Sequence, residues 1–120
     1  MNDLEYNTVA EQLKERQLRP AVKSMAVNME LVLKSHDDEK PGWEGETNQF
    51  LLEKLDEEVA ELKEILEFCR IVHVLGEDGL YILGDAGISR MRRCIGKEAA
   101  DVANIAMMLS NNNGGLYHVR

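Results

Sequence analysis

Two short segments hold the residues whose types and spacing could do chemistry: EEVAELKE (57–64) and KEAADVANIA (97–106). At about 100° per residue, Ile88, Met91, Ile95, Ala99, Val102, Ile105 and Leu109 form one apolar helical stripe. Glu98 falls inside that stripe and Asp101 lies at its edge. The earlier segment repeats the pattern, with a stripe of Leu51, Leu55, Val59, Leu62, Ile65, Leu66 and Cys69. Here Glu58 lies inside the stripe and Glu61 at its edge. Residues three apart on a helix are neighbours, so antiparallel packing of the two helices brings all four carboxylates to one point. Four anions cannot coexist unpaired at low dielectric, and a buried unpaired carboxylate is costly. The natural counter-charge is a hard divalent cation with oxygen ligands, Mg²⁺ or Mn²⁺. The di-iron kind of carboxylate bundle uses Glu-x-x-His, and the chain contains no such spacing. An all-carboxylate site leaves water on its metal and suits phosphate ligands.

One E-x-x-E says little in a chain with 22 acidic residues; Glu53 and Asp56 match the spacing by accident. The repetition of matched pairs on two apolar stripes is the informative feature. Around it stand residues with two readings each. Lys54 lies one turn before Glu58, and Lys97 one turn before Asp101. Each either forms an ordinary helical ion pair or faces a phosphate chain. Asn104 either hydrogen-bonds a sugar or base or is an exposed helix residue. Lys40 and Trp43 sit on the loop entering the first motif helix, where Trp43 either stacks on a base or caps the core. His36, His73 and His118 form no motif and read as structural or solvated, and the basic cluster at Arg90–Cys94 reads as a solvated face.

The pair EEVAELKE and KEAADVANIAMML resembles the E-x-x-E…E-x-x-D signature of the MazG-like all-α nucleoside triphosphate pyrophosphohydrolases. The HDDEKPGW loop resembles a segment of phage and bacterial members, and the resemblance spans about residues 25–110. It implies Mg²⁺ held by Glu58, Glu61, Glu98 and Asp101. It also implies hydrolysis between the α- and β-phosphates, giving a nucleoside monophosphate and pyrophosphate. Glu57 or Glu61 then serves as general base, and Lys40, Trp43, Lys54, Lys97 and Asn104 contact the substrate. The resemblance further implies a homodimer or tetramer. The chain departs from the family in its long Gly-rich connection between the motifs, which bears on the base pocket.

These residues need helices to position them. Residues 3–18 are helix-compatible and weakly amphipathic within an N-terminal segment of 1–20. Pro20 suits the first turn of a second helix, whose stripe of Val22, Met25, Ala26, Met29 and Leu33 runs to about Ser35. HDDEKPGWEGE breaks the pattern as a loop. The motif helices follow, at about Thr47–Arg70 and Ile88–Ser110. Between them, residues 71–87 read either as a β-hairpin around GEDG or as a frayed helix end plus a loop. NNNGG ends the last helix, leaving 111–120 as a tail. The expected architecture is all-α: an antiparallel bundle of four to five helices in a single domain, 1–120, completed by oligomerisation.

Composition narrows the partners. The 120 residues suit one modest core. A net charge of −8 disfavours nucleic-acid backbones and anionic membranes, although a metal can bridge a negative protein to a phosphate. Cys69 and Cys94, without metal spacing, read as reduced thiols in a cytoplasmic protein. The polar, acidic N-terminus does not resemble a signal peptide, and no apolar run approaches a membrane span. The function expected is Mg²⁺-dependent hydrolysis of a nucleoside triphosphate, most simply a deoxynucleotide. The alternatives are a metal- or nucleotide-binding regulatory module without turnover, and a helical interaction protein.

Overall fold

The computed structural model describes residues 1–13, 17–37 and 42–116. Among them are α1 (Asp3–Gln12), α2 (Pro20–Ser35), α3 (Asn48–Leu75) and α4 (Glu77–Asn112), with a 3-10 turn at Trp43–Gly45 and no strand. Local chemistry explains most of the boundaries. The Asn2 side chain accepts from the Glu5 amide at 2.8 Å and caps α1. Pro20 occupies the first turn of α2, where its missing N–H costs nothing. Thr47 caps α3 by accepting from the Phe50 amide at 3.1 Å.

The all-α expectation holds, and the region 71–87 takes neither of the forms expected of it. It is helical on both sides of a one-residue turn. α3 runs on to Leu75, and α4 starts at Glu77 rather than near Ile88. The helical spacing Leu62–Ile65–Cys69–Val72 continues the packed stripe of α3 past Arg70, with Val72 buried. Packing on that stripe overrides the β preference of Ile71, Val72 and Val74. Gly76, at φ +59°, makes the turn, a conformation that costs a side-chain-bearing residue dearly. α4 is interrupted once, at Gly84 (φ 67°, ψ 175°). α1 is shorter than the expected 3–18, and the tail beyond residue 116 lies outside the described residues.

α3 and α4 form a long antiparallel hairpin, α2 packs on α4, and the Trp43 turn rests against α4. Asn48 and Asn113 exchange reciprocal side-chain hydrogen bonds at 3.1 and 2.8 Å, which tie the start of α3 to the end of α4. Among the described residues α1 packs on no other element. The core is small: Leu51, Val72, Met91, Ala100 and Ile105 are its buried apolar side chains. The radius of gyration is 17.7 Å, against about 14 Å for a compact domain of this length.

Candidate metal centre

α3 and α4 run antiparallel, so the stripe acids of each helix face those of the other. One oxygen from each of Glu58, Glu61, Glu98 and Asp101 lies within 4.8 Å of the others. Opposite ligands of an octahedral Mg²⁺ lie about 4.2 Å apart, so a small side-chain adjustment closes the set around an ion. The Asp101 and Glu98 side chains are 13% and 20% exposed, while Glu61 is open to solvent. Glu58 Oε2 and Glu98 Oε2 are buried and have no hydrogen-bond partner. Orphaned buried carboxylate oxygens are rare in folded proteins, and these four carboxylates are close enough together to hold a metal ion.

The electrostatics agree. Burial, then the negative charge of Asp101 and the nearby Glu61 carboxylate, push Glu58 from 4.5 up to about 7, with Lys54 pulling it back. Glu98 is raised chiefly by burial; Lys97 opposes the shift, and Glu61 and Asp101 add to it. Lys97 Nζ lies 3.1 Å from Asp101 Oδ2 and 3.8 Å from Glu98 Oε1. Its hydrogen bond to Asp101 holds it protonated, above the usual lysine range. Lys97 therefore offsets part of the cluster's negative charge, and the four carboxylates form a group that could hold a metal ion.

Beside the carboxylates opens a cavity of about 660 Å³, a size suited to a small organic ligand. Glu58, Glu61, Lys54, Lys97, Asp101 and Asn104 line one side, and Trp43, Phe50 and the end of α2 another. Asn104 is buried rather than exposed, and its Nδ2 donates to the Met29 carbonyl at 3.1 Å. That bond fixes the amide, leaving Oδ1 buried without a partner. The Trp43 indole Nε1 is likewise buried and unpartnered, and its main chain is anchored by Asn112 Nδ2 on the Trp43 carbonyl at 3.1 Å. Both residues line the cavity, and both orphaned atoms are hidden from solvent behind its wall.

The structure separates the two candidate bases. Glu61 belongs to the cluster and lines the cavity. Glu57 belongs to neither: its side chain is 66% exposed and pairs with Lys54 Nζ at 3.5 Å. Glu57 lies about 100° of helix from Glu58 and about 40° from Glu61, on the side away from α4. Lys97 makes its ion pair at i,i+4, as the ordinary reading had it, whereas Lys54 pairs with Glu57 at i,i+3 and not with Glu58. Lys40 and His118 lie outside the described residues.

Several cavity residues escaped the sequence reading, two of them polar or aromatic side chains of note. His36 lines the cavity; it continues the Met29–Leu33 spacing of α2 by one more step, a signal that was available. Phe50 lies on the same helical line as Lys54 and Glu61 and also lines the cavity. No protein-family model, curated protein or solved structure matches the chain.

Proposed function

We propose that this chain is a divalent-metal-dependent nucleoside triphosphate pyrophosphohydrolase of the MazG-like kind. Its substrate is a nucleotide, most simply a deoxynucleoside triphosphate of the cytoplasmic pool, and it works as a homodimer or tetramer. The observation that carries this reading is the four-carboxylate cluster, with a buried, partnerless oxygen on each of Glu58 and Glu98, next to a cavity of about 660 Å³ that Glu58, Glu61 and Asp101 line.

In this reading Glu58, Glu61, Glu98 and Asp101 hold Mg²⁺ or Mn²⁺. The bound ion supplies neutralisation of the triphosphate and a more acidic water. Glu61, the most open of the four, accepts the proton of the water that adds to the α-phosphorus; the α–β bridging bond breaks and pyrophosphate leaves. Lys54 and Lys97, both on the cavity wall, place positive charge along the phosphates. Trp43 provides a stacking face and an indole donor, and the fixed Asn104 Oδ1 accepts from a ring or amine N–H. A base lacking that donor leaves Asn104 unsatisfied, which is how a buried polar group discriminates.

The test is a turnover panel of common and modified nucleoside triphosphates with Mg²⁺, Mn²⁺ or EDTA, resolving pyrophosphate from phosphate. Metal-dependent pyrophosphate release, lost in Glu98→Gln, is the expected result. Metal or nucleotide binding without release across the panel selects the non-catalytic module instead.

A further inference from the structure

The two lysines on the cavity wall are placed differently. Lys54 pairs at 3.5 Å with Glu57, which is outside the carboxylate cluster. Lys97 sits on the cluster itself. Its Nζ donates to Asp101 Oδ2 at 3.1 Å and stands 3.8 Å from Glu98 Oε1. It therefore touches two of the four carboxylates that could hold a metal. No other lysine or arginine among the described residues is in ion-pair contact with any of the four. The pair is also lopsided. The Lys97 side chain is 58% exposed, while those of Asp101 and Glu98 are 13% and 20% exposed. An ordinary i,i+4 surface pair leaves both partners in water and is worth little. Here a solvated ammonium reaches in over carboxylates that are mostly hidden.

That hydrogen bond and metal coordination draw on the same carboxylates. Two cations on one carboxylate repel each other, so each weakens the other's hold. The ammonium is the one free to leave. Among the described residues its only ion pairs are to Asp101 and Glu98, and the greater part of its side chain already lies in solvent. The cavity also gives it a destination, because Lys97 and Asp101 both line it. An anion bound there against the metal offers the displaced ammonium new oxygens. A lysine suits such a move: it is a point charge with rotatable donors on a flexible stem. An arginine in its place would grip the Asp101 carboxylate through two parallel hydrogen bonds and release it reluctantly.

We propose that Lys97 is an exchangeable counter-ion of the carboxylate centre: it holds Asp101 and Glu98 while no metal is bound, yields them to the divalent ion, and turns its ammonium to the phosphate oxygens of the ligand. This rests on the metal-centre reading above and adds an order of events to it, metal before phosphate. Two consequences follow for the site. Metal affinity is set below what four carboxylates would otherwise reach, because the incoming ion displaces a resident cation. The Lys97 charge becomes available to phosphates only once the metal is in place, so the metal-free chain holds them weakly.

The test is calorimetric titration of the full chain with Mg²⁺, then of the Mg²⁺-loaded chain with pyrophosphate. In parallel, the lysine ε-carbon resonances of isotope-labelled protein are followed by NMR, with Lys97 assigned by its loss in Lys97→Arg. The Lys97 resonance is expected to move on adding Mg²⁺ and again on adding pyrophosphate. Lys97→Gln should bind Mg²⁺ about 5-fold tighter or more, bind pyrophosphate more weakly, and melt at a lower temperature in EDTA. Lys97→Arg keeps the charge and should bind Mg²⁺ more weakly than the wild type. A bystander charge predicts equal Mg²⁺ affinity for lysine and arginine, and that result overturns the proposal. So does a Lys97 resonance that bound Mg²⁺ leaves in place. The wild-type resonances and the arginine variant decide the matter even where Lys97→Gln folds poorly. Mg²⁺ binding with Lys97 fixed removes the exchange and leaves the metal centre standing; no Mg²⁺ binding to any of the chains removes both.

Discussion

The two ends of the α3/α4 hairpin are built from the same pair of helices and have opposite anomalies. At the inner end, under α2 and the Trp43 turn, carboxylate oxygens are buried without partners. At the outer end, large apolar side chains are bare. A lone chain in water should do neither, because burying charge and exposing hydrocarbon both raise its free energy. Each anomaly points to a different missing component. In the reading proposed above, a small hard cation answers the hidden charge and another protein surface the exposed hydrocarbon.

The largest effect that breaks this contrast is at the inner end. Glu58→Gln or Glu98→Gln removes charge while keeping shape, and turnover should fall by about 10³-fold with the fold intact by circular dichroism. If either variant instead unfolds or disassembles the protein, the acids serve an interface rather than a site.

Stability separates the ends next. Leu51 is 2% exposed and packs at the inner end, so Leu51→Ala should cost about 2–5 kcal/mol in urea unfolding. Tyr81→Ala, measured where the chain is monomeric, should stay within about 0.5 kcal/mol. Equal costs would show that the tip is packed within the single chain.

The pH response sharpens the inner end further. Glu58, raised from 4.5 to about 7, and Glu98, also raised, bind protons more tightly in the folded chain than in the unfolded one. The Glu58 contribution is complete below about pH 4.5 and is lost as pH rises through about 7, and Glu98 acts in the same direction. The melting temperature in EDTA should therefore fall between pH 5 and pH 8, Glu58→Gln should flatten the slope, and Mg²⁺ should raise the melting temperature more at pH 8 than at pH 5. A slope unchanged in Glu58→Gln would assign the pH response to other groups.

The smallest effect is local. Thr47→Ala removes the cap of α3, costing about 1 kcal/mol, and should be felt first as weaker nucleotide binding, since the helix start positions Phe50 and Lys54 on the cavity wall. Equal loss at the outer end, read by hydrogen exchange of 71–82, would show that the hairpin unfolds as one unit.

The four carboxylates were legible because helical periodicity alone places Glu58 and Glu98 among apolar neighbours, and because the doubled pair is hard to obtain by accident. The all-α class, the proline at the start of α2 and the caps follow from equally local rules. Residues 71–87 were not legible, since β-branched residues and glycines support a strand hairpin as readily as a helical one until packing is known. Glu57 and Glu61 stand four residues and a net rotation of only about 40° apart, which a stripe drawn on one helix resolves poorly and a second helix across the groove resolves at once. The fixing of Asn104 depends on the Met29 carbonyl, 75 residues away in the chain. By itself, then, the sequence determined which residues carry the charge and which face of each helix they occupy, because those are properties of one helix and its period. Only the tertiary structure decided which oxygens meet, which polar atoms are left without partners and which apolar surface stays bare, because burial belongs to pairs of elements and is absent from either alone.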